Sequence, residues 1–350
     1  MEFVLIVAGL FVLLLLAGVV YQAVGAAQDA RQFPPPGRLI EVDGYRLHIR
    51  EMQPENIAAG TPTVVLEAGI AASSLSWSKV QPEVAKFARV VSYDRAGLGW
   101  SDPSPRPRTP PHIVEELHAL LKRANVPRPL VLVGHSFGGY CVRYYAHKFP
   151  HEVAGMVLVD AVHADEWKQL TAQQRRMIRG GVLFARIGLF LCRLGFIRFV
   201  LNRLERGSTG APKLAARAFG PSAEKFLGRI VSEVRKLPPE VLPQVRAVWC
   251  QSRCHASMAT YLAALPASAA VVATLGGLDA MPLVVLSGSH HPEERWGEQQ
   301  DLARLSSNSK HVVARESKHW VHLDEPELVV EAIREVVEAA RKKTKVGPST

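Results

Sequence analysis

The chain has 350 residues, 48% of them hydrophobic, which is enough for one large core and an insertion within a single elaborated domain. Its four cysteines lack the spacing of a zinc site, and a chain of this size does not need disulfides to fold. The net charge of the whole chain is +10, and residues 163–275 alone carry +11, with 17 Lys and Arg against 6 Asp and Glu, so the remainder sums to −1. Because this segment lacks a nucleic-acid-binding motif, we expect no nucleic acid as a partner and favour a surface that faces acidic lipid.

An unbroken run of apolar residues and glycine extends from Phe3 to Val20. Its length is that of a tilted helix that crosses the hydrocarbon of a bilayer. A cleaved signal peptide is the alternative, but the run exceeds the usual ~7–15-residue apolar region and no Lys or Arg precedes it. We therefore predict a single-pass membrane anchor over residues 1–28 and a stiff, proline-rich spacer over residues 29–38. The flanking charges are too few to assign the side of the membrane.

Beyond the spacer, short apolar runs alternate with segments of helical periodicity. The first two runs flank Asp43-Gly44, a strong hairpin signal because this dipeptide tolerates the positive φ of a type I′ turn. The alternation predicts an α/β fold with a mostly parallel sheet covered by helices on both faces. The eight predicted strands are Leu39–Val42, Tyr45–Arg50, Thr63–Leu66, Arg89–Tyr93, Leu130–Val133, Met156–Val159, Leu283–Leu286 and His311–Ala314.

The alternation stops over residues 163–275, which have helical periodicity apart from a loop at Gly207–Pro212. Here we predict a helical cap inserted between the sixth and seventh strands. Within this cap, arginines recur every seventh residue from Arg179 to Arg193, so they form one stripe on an otherwise mostly apolar helix. We expect this helix to bend near Gly195. The segment is interpreted either as a buried cap helix with its arginines reaching solvent, or as a lid that rests on the bilayer.

The sequence Gly134-His135-Ser136-Phe137-Gly138 lies between a predicted strand and a segment of helical periodicity. In this context the pattern G-x-S-x-G indicates a nucleophile elbow, a sharp turn that exposes the serine hydroxyl at strained backbone angles. The alternative is a Gly-rich turn in which Ser136 caps a helix. We favour Ser136 as the nucleophile and expect its sequence neighbour His135 to serve in packing.

Two further segments make a family resemblance specific. Tyr93–Ser101 is similar to the D-R-x-G-x-G-x-S segment after the fourth strand of α/β-hydrolases, and Ser317-Lys318-His319, followed by Pro326, resembles their S-G-H segment and final helix. Lys318 stands where the family has glycine. The chain thus resembles the α/β-hydrolase fold family over about residues 39–162 and 280–341. We therefore expect a hydrolase core in two parts, residues 39–162 and 276–342, followed by a polar tail over 343–350. The resemblance also implies a catalytic triad whose members follow one another along the chain as Ser, acid and His.

The serine hydroxyl needs an adjacent base and a site that stabilises the oxyanion. His319 follows the eighth strand, where the family has its base, so the resemblance implies His319 as the base. His322 is the alternative; if it is not the base, we expect it to pack under the final helix. One backbone N–H of the oxyanion hole should come from Phe137, the residue after the nucleophile. By alignment on Gly69, the other should come from Ile70 in the loop after the third strand.

The sequence leaves the acid open among three carboxylates. Relatives often carry it in a G-x-x-D segment after the seventh strand, but Gly288-Ser289-His290-His291 has no carboxylate there. Asp160, at the end of the sixth strand, is similar to the alternative position in some haloalkane dehalogenases and is our choice. Alternatively, Asp160 is a capping residue at the start of the insertion, without a catalytic role. Glu293 and Glu294 remain as alternatives. His290-His291 lacks a third ligand nearby, so we expect no metal.

The resemblance implies a membrane-anchored serine hydrolase that cleaves a lipophilic ester, or a thioester or amide, through an acyl-enzyme on Ser136 without a cofactor. Epoxide hydrolases and haloalkane dehalogenases share the architecture but use a carboxylate nucleophile, so Ser136 argues against both activities. The alternative function is that of a catalytically inactive, membrane-tethered binding protein. Substrate and oligomeric state are not encoded in these patterns.

Overall fold

The computed structural model describes residues 1–205, 228, 231–289, 293–342 and 346–347, with the backbone alone for 293–295. The predicted loop at Gly207–Pro212, the pair His290-His291 and most of the predicted polar tail lie outside this part of the chain. The chain divides into two compact units. A sheet unit comprises Gly37–Arg179 and Thr260–Thr350, and a helical unit comprises Met1–Pro36 and Gly180–Ala259.

The sheet unit contains an eight-stranded sheet in the order β1-β2-β4-β3-β5-β6-β7-β8. β1 pairs antiparallel with β2, and β2 antiparallel with β4, while all other neighbours are parallel. The predicted α/β fold with a mostly parallel eight-stranded sheet is therefore confirmed. The strands are β1 Arg38–Val42, β2 Tyr45–Met52, β3 Thr63–Glu67, β4 Val90–Tyr93, β5 Leu130–His135, β6 Val153–Val159, β7 Leu283–Gly288 and β8 Ser309–Ala314.

Helices cover the sheet because the parallel strands are apolar on both faces. Every residue of β3, β4, β5 and β7 is buried. Part of this core packs against the last helix through Val329, Ile333, Val336 and Val337, which recur at helical spacing. The α-helices with both ends defined are α1 Glu2–Gln32, α2 Gln81–Val84, α3 Pro110–Arg123, α4 Gly138–Lys148, α5 Ala164–Lys168, α6 Ala172–Arg193, α7 Phe196–Glu205, α8 Leu242–Trp249, α9 Ser252–Val272, α10 Glu293–Ala303, α11 Val321–Asp324 and α12 Pro326–Lys342.

The described residues of the segment predicted as a cap form helices joined by short turns, but the ends of the segment belong to the sheet unit. The unit boundaries fall after Arg179 and Ala259, inside α6 and α9. Within the sheet unit, the α9 residue Tyr261 is fully buried and its hydroxyl donates to the carbonyl of Ala96 at 3.3 Å. The part of α9 from Thr260 to Val272, roughly three to four helical turns, therefore contributes to the core of the sheet unit.

The N-terminal helix is longer than the predicted anchor. α1 continues to Gln32, so the predicted start of the spacer at residue 29 is wrong by four residues. The sequence from Gln28 to Gln32 contains good helix formers, and the helix ends just before Pro34, which removes a backbone donor and fixes φ. By length and composition, α1 and α9 are both apolar enough to cross a membrane, but 44% of the α9 window is buried against 0% for α1.

Polar side chains at the end of α1 hold the helical unit together. Asp29 accepts hydrogen bonds from Arg198 at 2.5 Å and from Arg246 at 3.0 Å, and Gln22 accepts another from Arg198 at 3.0 Å. Arg198 is only 2% exposed and Asp29 7%. Asp29 lies at the start of the predicted spacer, whereas in the structure it is the common partner of two arginines from α7 and α8.

We expect Asp29→Ala to destabilise the helical unit, because it leaves the buried guanidinium of Arg198 without its counter-charge. Removing one member of a buried ion pair typically costs about 3–5 kcal/mol. Thermal unfolding of the full chain in detergent should show a melting temperature lowered by roughly 5–15 °C relative to wild type. Glu2→Ala, at the exposed start of the same helix, is the matched control. An unchanged melting temperature in Asp29→Ala would contradict this role.

Candidate active site

Ser136 occupies the turn between β5 and α4 in a strained conformation. Its φ is 53°, which is uncommon for a residue with a side chain. The turn is held by a bond from the Ser136 N–H to the Val159 carbonyl at 3.1 Å and by one from the Val162 N–H to the Ser136 carbonyl at 3.2 Å. A side chain at Gly138 would stand 2.5 Å from the Glu67 carbonyl oxygen, so the residue there must be glycine. The G-x-S-x-G segment thus forms a tight strand-to-helix turn.

A chain of hydrogen bonds connects Ser136, His319 and Asp160. His319 lies between β8 and α11, and Asp160 follows β6 directly. The Nε2 atom of His319 is 3.0 Å from the Ser136 Oγ, and its Nδ1 atom is 2.5 Å from the Asp160 Oδ2. These partners assign the tautomer, since Nδ1 must donate to the carboxylate and Nε2 is then free to accept from the hydroxyl. The structure brings together the three residues that the sequence analysis selected.

The Asp160 carboxylate is buried and fixed in orientation. Its Oδ1 accepts from the Gly288 N–H at 3.0 Å, and its own N–H donates to the Leu286 carbonyl at 2.7 Å. The residue has a φ of 43°, so its backbone is also strained. The side chains of the alternatives Glu293 and Glu294 lie outside the described residues.

Gly288 explains how the loop before His319 turns with Lys318 in place of glycine. The Lys318 carbonyl oxygen would lie 2.0 Å from a Cβ at Gly288, and the Ser289 N–H donates to the Ser317 carbonyl at 2.9 Å. The space is therefore supplied by the glycine at the end of β7, while the side chain of Lys318 is exposed. The sequence signal for this compensation is Gly288 itself, the glycine of the Gly288-Ser289-His290-His291 segment.

The two predicted oxyanion donors belong to segments on either side of Ser136. Phe137 follows the serine and begins the turn into α4. The loop with Ile70 passes close to the nucleophile, because a Cβ at Gly69 would lie 3.6 Å from the Ser136 Cβ. Among the described residues, no acceptor takes the N–H of Ile70 or of Phe137. Both amides are thus available to a ligand.

Two further histidines lie behind His319. Burial lowers the pKa of His135 to about 3, so the ring is neutral and its Nε2 donates to the His319 carbonyl at 2.9 Å. His322, the alternative base, is fully buried between the rings of Trp77 and His135, at centroid distances of 4.8 and 4.2 Å. Burial lowers the pKa of His322 well below its usual value, and neither ring nitrogen has a partner among the described residues. His322 therefore packs, while His135 supports the loop that carries His319.

A buried polar cluster next to the site was missed by the sequence analysis. Arg95, 2% exposed, donates through Nη2 to the Gly69 carbonyl, and its Nε lies 3.6 Å from the Glu67 Oε1. The Tyr93 hydroxyl donates to the other oxygen of the same carboxylate. Burial raises the pKa of Glu67, although the charge of Arg95 opposes the shift. Two adjacent charged residues, Asp94 and Arg95, inside the largely apolar and glycine-rich Tyr93–Ser101 segment were the signal that could have identified it.

The arrangement provides a hydroxyl, a base that can take its proton, a buried carboxylate behind the base, and two free N–H groups nearby. These are the parts required for attack on a carbonyl carbon. In the described part of the chain, no group of three or more His, Cys, Asp or Glu is arranged to hold a metal ion.

Comparison with known proteins identifies the fold. The family model for the alpha/beta hydrolase fold matches residues 62–190. A curated relative, the uncharacterized protein YqjL of Bacillus subtilis, is 35% identical over 124 residues, which is 35% of this chain and 47% of the relative. In three such relatives the aligned segments cover 47%, 18% and 65% of the relative's length, which is less than two thirds in each case.

Two solved structures extend the likeness beyond the matched segment. An esterase from Thermogutta terrifontis is 20% identical with a TM-score of 0.57, and the match covers 87% of this chain and 97% of the esterase. The epoxide hydrolase CorEH is 16% identical with a TM-score of 0.58, covering 84% and 95%. At these identities the likeness concerns the fold and not the substrate. The comparisons therefore show that the chain has the α/β-hydrolase fold.

Proposed function

We propose that the chain is a membrane-anchored serine hydrolase that cleaves an ester through an acyl-enzyme on Ser136. The observation that carries this proposal is the chain of hydrogen bonds from Ser136 through His319 to the buried Asp160. A carboxylate nucleophile, which epoxide and haloalkane hydrolysis need in this fold, is absent at the elbow. Thioesters and amides are alternative substrates with the same chemistry.

In the first half of the reaction, the Ser136 Oγ attacks the carbonyl carbon while His319 Nε2 takes the hydroxyl proton. The Asp160 carboxylate keeps the proton on Nδ1 and stabilises the imidazolium without becoming protonated. The oxyanion accepts hydrogen bonds from the N–H groups of Ile70 and Phe137. When the tetrahedral intermediate collapses, His319 gives its proton to the leaving alcohol.

In the second half, water repeats the sequence on the acyl-enzyme. His319 takes a proton from the water, the hydroxide oxygen adds to the acyl carbon, and collapse returns the proton to Ser136 and releases the acid. A p-nitrophenyl ester tests this scheme, because acyl-enzyme formation that outruns hydrolysis gives a burst of nitrophenol equal to the enzyme concentration. Absence of any turnover over a panel of ester, thioester and amide substrates would favour the binding-protein alternative.

The membrane part of the proposal rests on α1. Its side chains from Phe3 to Val20 are mostly exposed and apolar over a length that can span hydrocarbon. Polar partners begin immediately afterwards: the Tyr21 hydroxyl accepts from Asn202 at 2.8 Å, and Gln22 and Asp29 bind Arg198. Residues 3–20 therefore lie in the bilayer in this proposal, and the helix from Tyr21 onwards belongs to the folded helical unit.

The corner between α6 and α7 provides a second lipid-facing surface. The two helices meet at 91°, and at this corner the Leu194 carbonyl oxygen would lie 2.4 Å from a Cβ at Gly18. Gly18 is two residues from the end of the apolar run, about 3 Å along the helix axis. Phe190, Phe196 and Phe199 are 62%, 41% and 47% exposed, so the corner presents aromatic rings at the level of the bilayer boundary.

Fluorescence quenching in nanodiscs tests this surface in the full chain. The four native cysteines are buried, so Phe190→Cys can be labelled selectively with an environment-sensitive fluorophore. We expect nitroxide-labelled lipids to quench the probe at Phe190→Cys and at Leu5→Cys, but not at Lys86→Cys on the sheet unit. Quenching at Leu5→Cys alone would leave the anchor intact and refute the lipid-facing corner.

A further inference from the structure

We infer that Arg95 is a positioning residue for the oxyanion hole, because it fixes the peptide group that carries the Ile70 N–H. The inference rests on the proposed function, in which this amide stabilises the oxyanion. It assigns a role to a buried cation that touches neither Ser136 nor His319.

The geometry of one peptide bond relates the Gly69 carbonyl to the direction of the Ile70 N–H. The Gly69 carbonyl and the Ile70 N–H belong to the same peptide group, which is trans, since the single cis bond of the described chain lies at Arg128-Pro129. In a trans peptide the C=O and N–H bonds point in opposite directions within one plane. The Arg95 Nη2 donates to the Gly69 oxygen, and the Ala72 N–H donates to it at 3.2 Å. Because these two donors hold the Gly69 oxygen on one side of the peptide group, the Ile70 N–H points to the opposite side.

The same guanidinium contacts the second donor segment. Its central carbon lies 5.2 Å from the ring centroid of Phe137, the residue expected to supply the other N–H, and 5.0 Å from that of Tyr261. Both distances are within the range of a cation–π contact. Arg95 thus contacts both the loop after β3 and the turn after β5, the two segments expected to carry the oxyanion donors.

A purely structural ion pair with Glu67 explains the arrangement less well. The closest approach of the charged groups, Nε to Oε1, is 3.6 Å, and Nε and Nη1 have no hydrogen-bond partner among the described residues. Burying a guanidinium carries a large desolvation cost that a loosely matched ion pair does not recover. Its hydrogen bond to the Gly69 carbonyl is the contact that the geometry favours, and that contact acts on the oxyanion loop.

Arg95→Met tests the inference, because methionine is unbranched and of similar reach but cannot donate. We expect kcat for a p-nitrophenyl ester to fall by roughly 10²-fold, within the range for loss of one oxyanion donor, and KM to change by less than about 3-fold. A trifluoromethyl ketone, whose adduct with serine carries an oxyanion, should lose affinity by the same factor as kcat. Arg95→Lys, which can still donate to the Gly69 carbonyl, should recover part of both.

Arg108→Met is the matched control. Arg108 is also buried, pairs with Glu116 at 2.7 Å and lies 6.0 Å from the Tyr261 ring centroid, but does not contact the oxyanion loop. The inference is overturned if Arg95→Met retains wild-type kcat, if only KM changes, or if Arg108→Met weakens the ketone equally. Should Arg95→Met fail to fold with Glu67 unpaired, the double variant Glu67→Gln/Arg95→Met removes that carboxylate and the same expectations apply.

The outcome is separable from that of the proposed function. Loss of turnover in Ser136→Ala together with a wild-type Arg95→Met enzyme would remove only the role of Arg95. Turnover that persists in Ser136→Ala would remove both.

Discussion

Asp160→Asn is expected to lower kcat on a short-chain ester by roughly 10³–10⁴-fold, while KM and the melting temperature stay close to wild type. The asparagine oxygen can still accept from the Gly288 N–H, which donates to Asp160 Oδ1 at 3.0 Å. Its amide nitrogen, however, would face His319 Nδ1, where the carboxylate oxygen now lies at 2.5 Å. Two donors cannot face each other, so the imidazole would take the tautomer that carries its proton towards Ser136 and could no longer act as a base.

The control variants for Asp160 are Glu293→Gln and Glu294→Gln, which remove the two carboxylates that the sequence left as alternatives. Both should retain kcat within about 3-fold of wild type, since a residue that does not orient the base contributes little to the chemical step. If Asp160→Asn keeps near-wild-type kcat and one of the glutamine variants loses activity, the acid follows β7 instead of β6.

His319→Ala should lower kcat by about 10⁴-fold or more, whereas His322→Phe should stay within about 3-fold of wild type. The first change removes the group 3.0 Å from the Ser136 Oγ. The second replaces a buried ring, without a hydrogen-bond partner among the described residues, by one that can still pack on Trp77 and His135. Added imidazole should restore part of the activity of His319→Ala. A large loss in His322→Phe, with the fold intact by circular dichroism, would contradict the choice of base.

The sheet could be predicted from the sequence because its strands carry a strong local signal. Parallel strands buried on both faces appear as continuous apolar runs, and Leu130–Val133 and Leu283–Leu286 lie inside strands of the structure. The ends of the strands were less predictable than their centres. β8 begins two residues before the predicted His311, because Ser309 and Lys310 pair with β7 through backbone atoms that their polar side chains do not reveal.

The position of Ser136 was also predictable, because a strand, a glycine-flanked serine and a helix follow one another along the chain. The acid was not, since three carboxylates qualified by position; the hydrogen bond between Asp160 and His319 supports the choice of Asp160. Arg95 and Asp29 illustrate the same limit. Each acts through partners at least 26 residues away in sequence, with no local pattern that identifies the pairing.

Fluorophosphonate labelling of the full chain, followed by intact-mass and peptide mapping, tests whether Ser136 is the nucleophile of a serine hydrolase. We expect a single adduct, on Ser136, that is abolished together with ester turnover in Ser136→Ala, because the reagent requires an activated serine hydroxyl. An adduct on another residue, no adduct on the wild-type chain, or ester turnover that persists in Ser136→Ala would contradict this assignment.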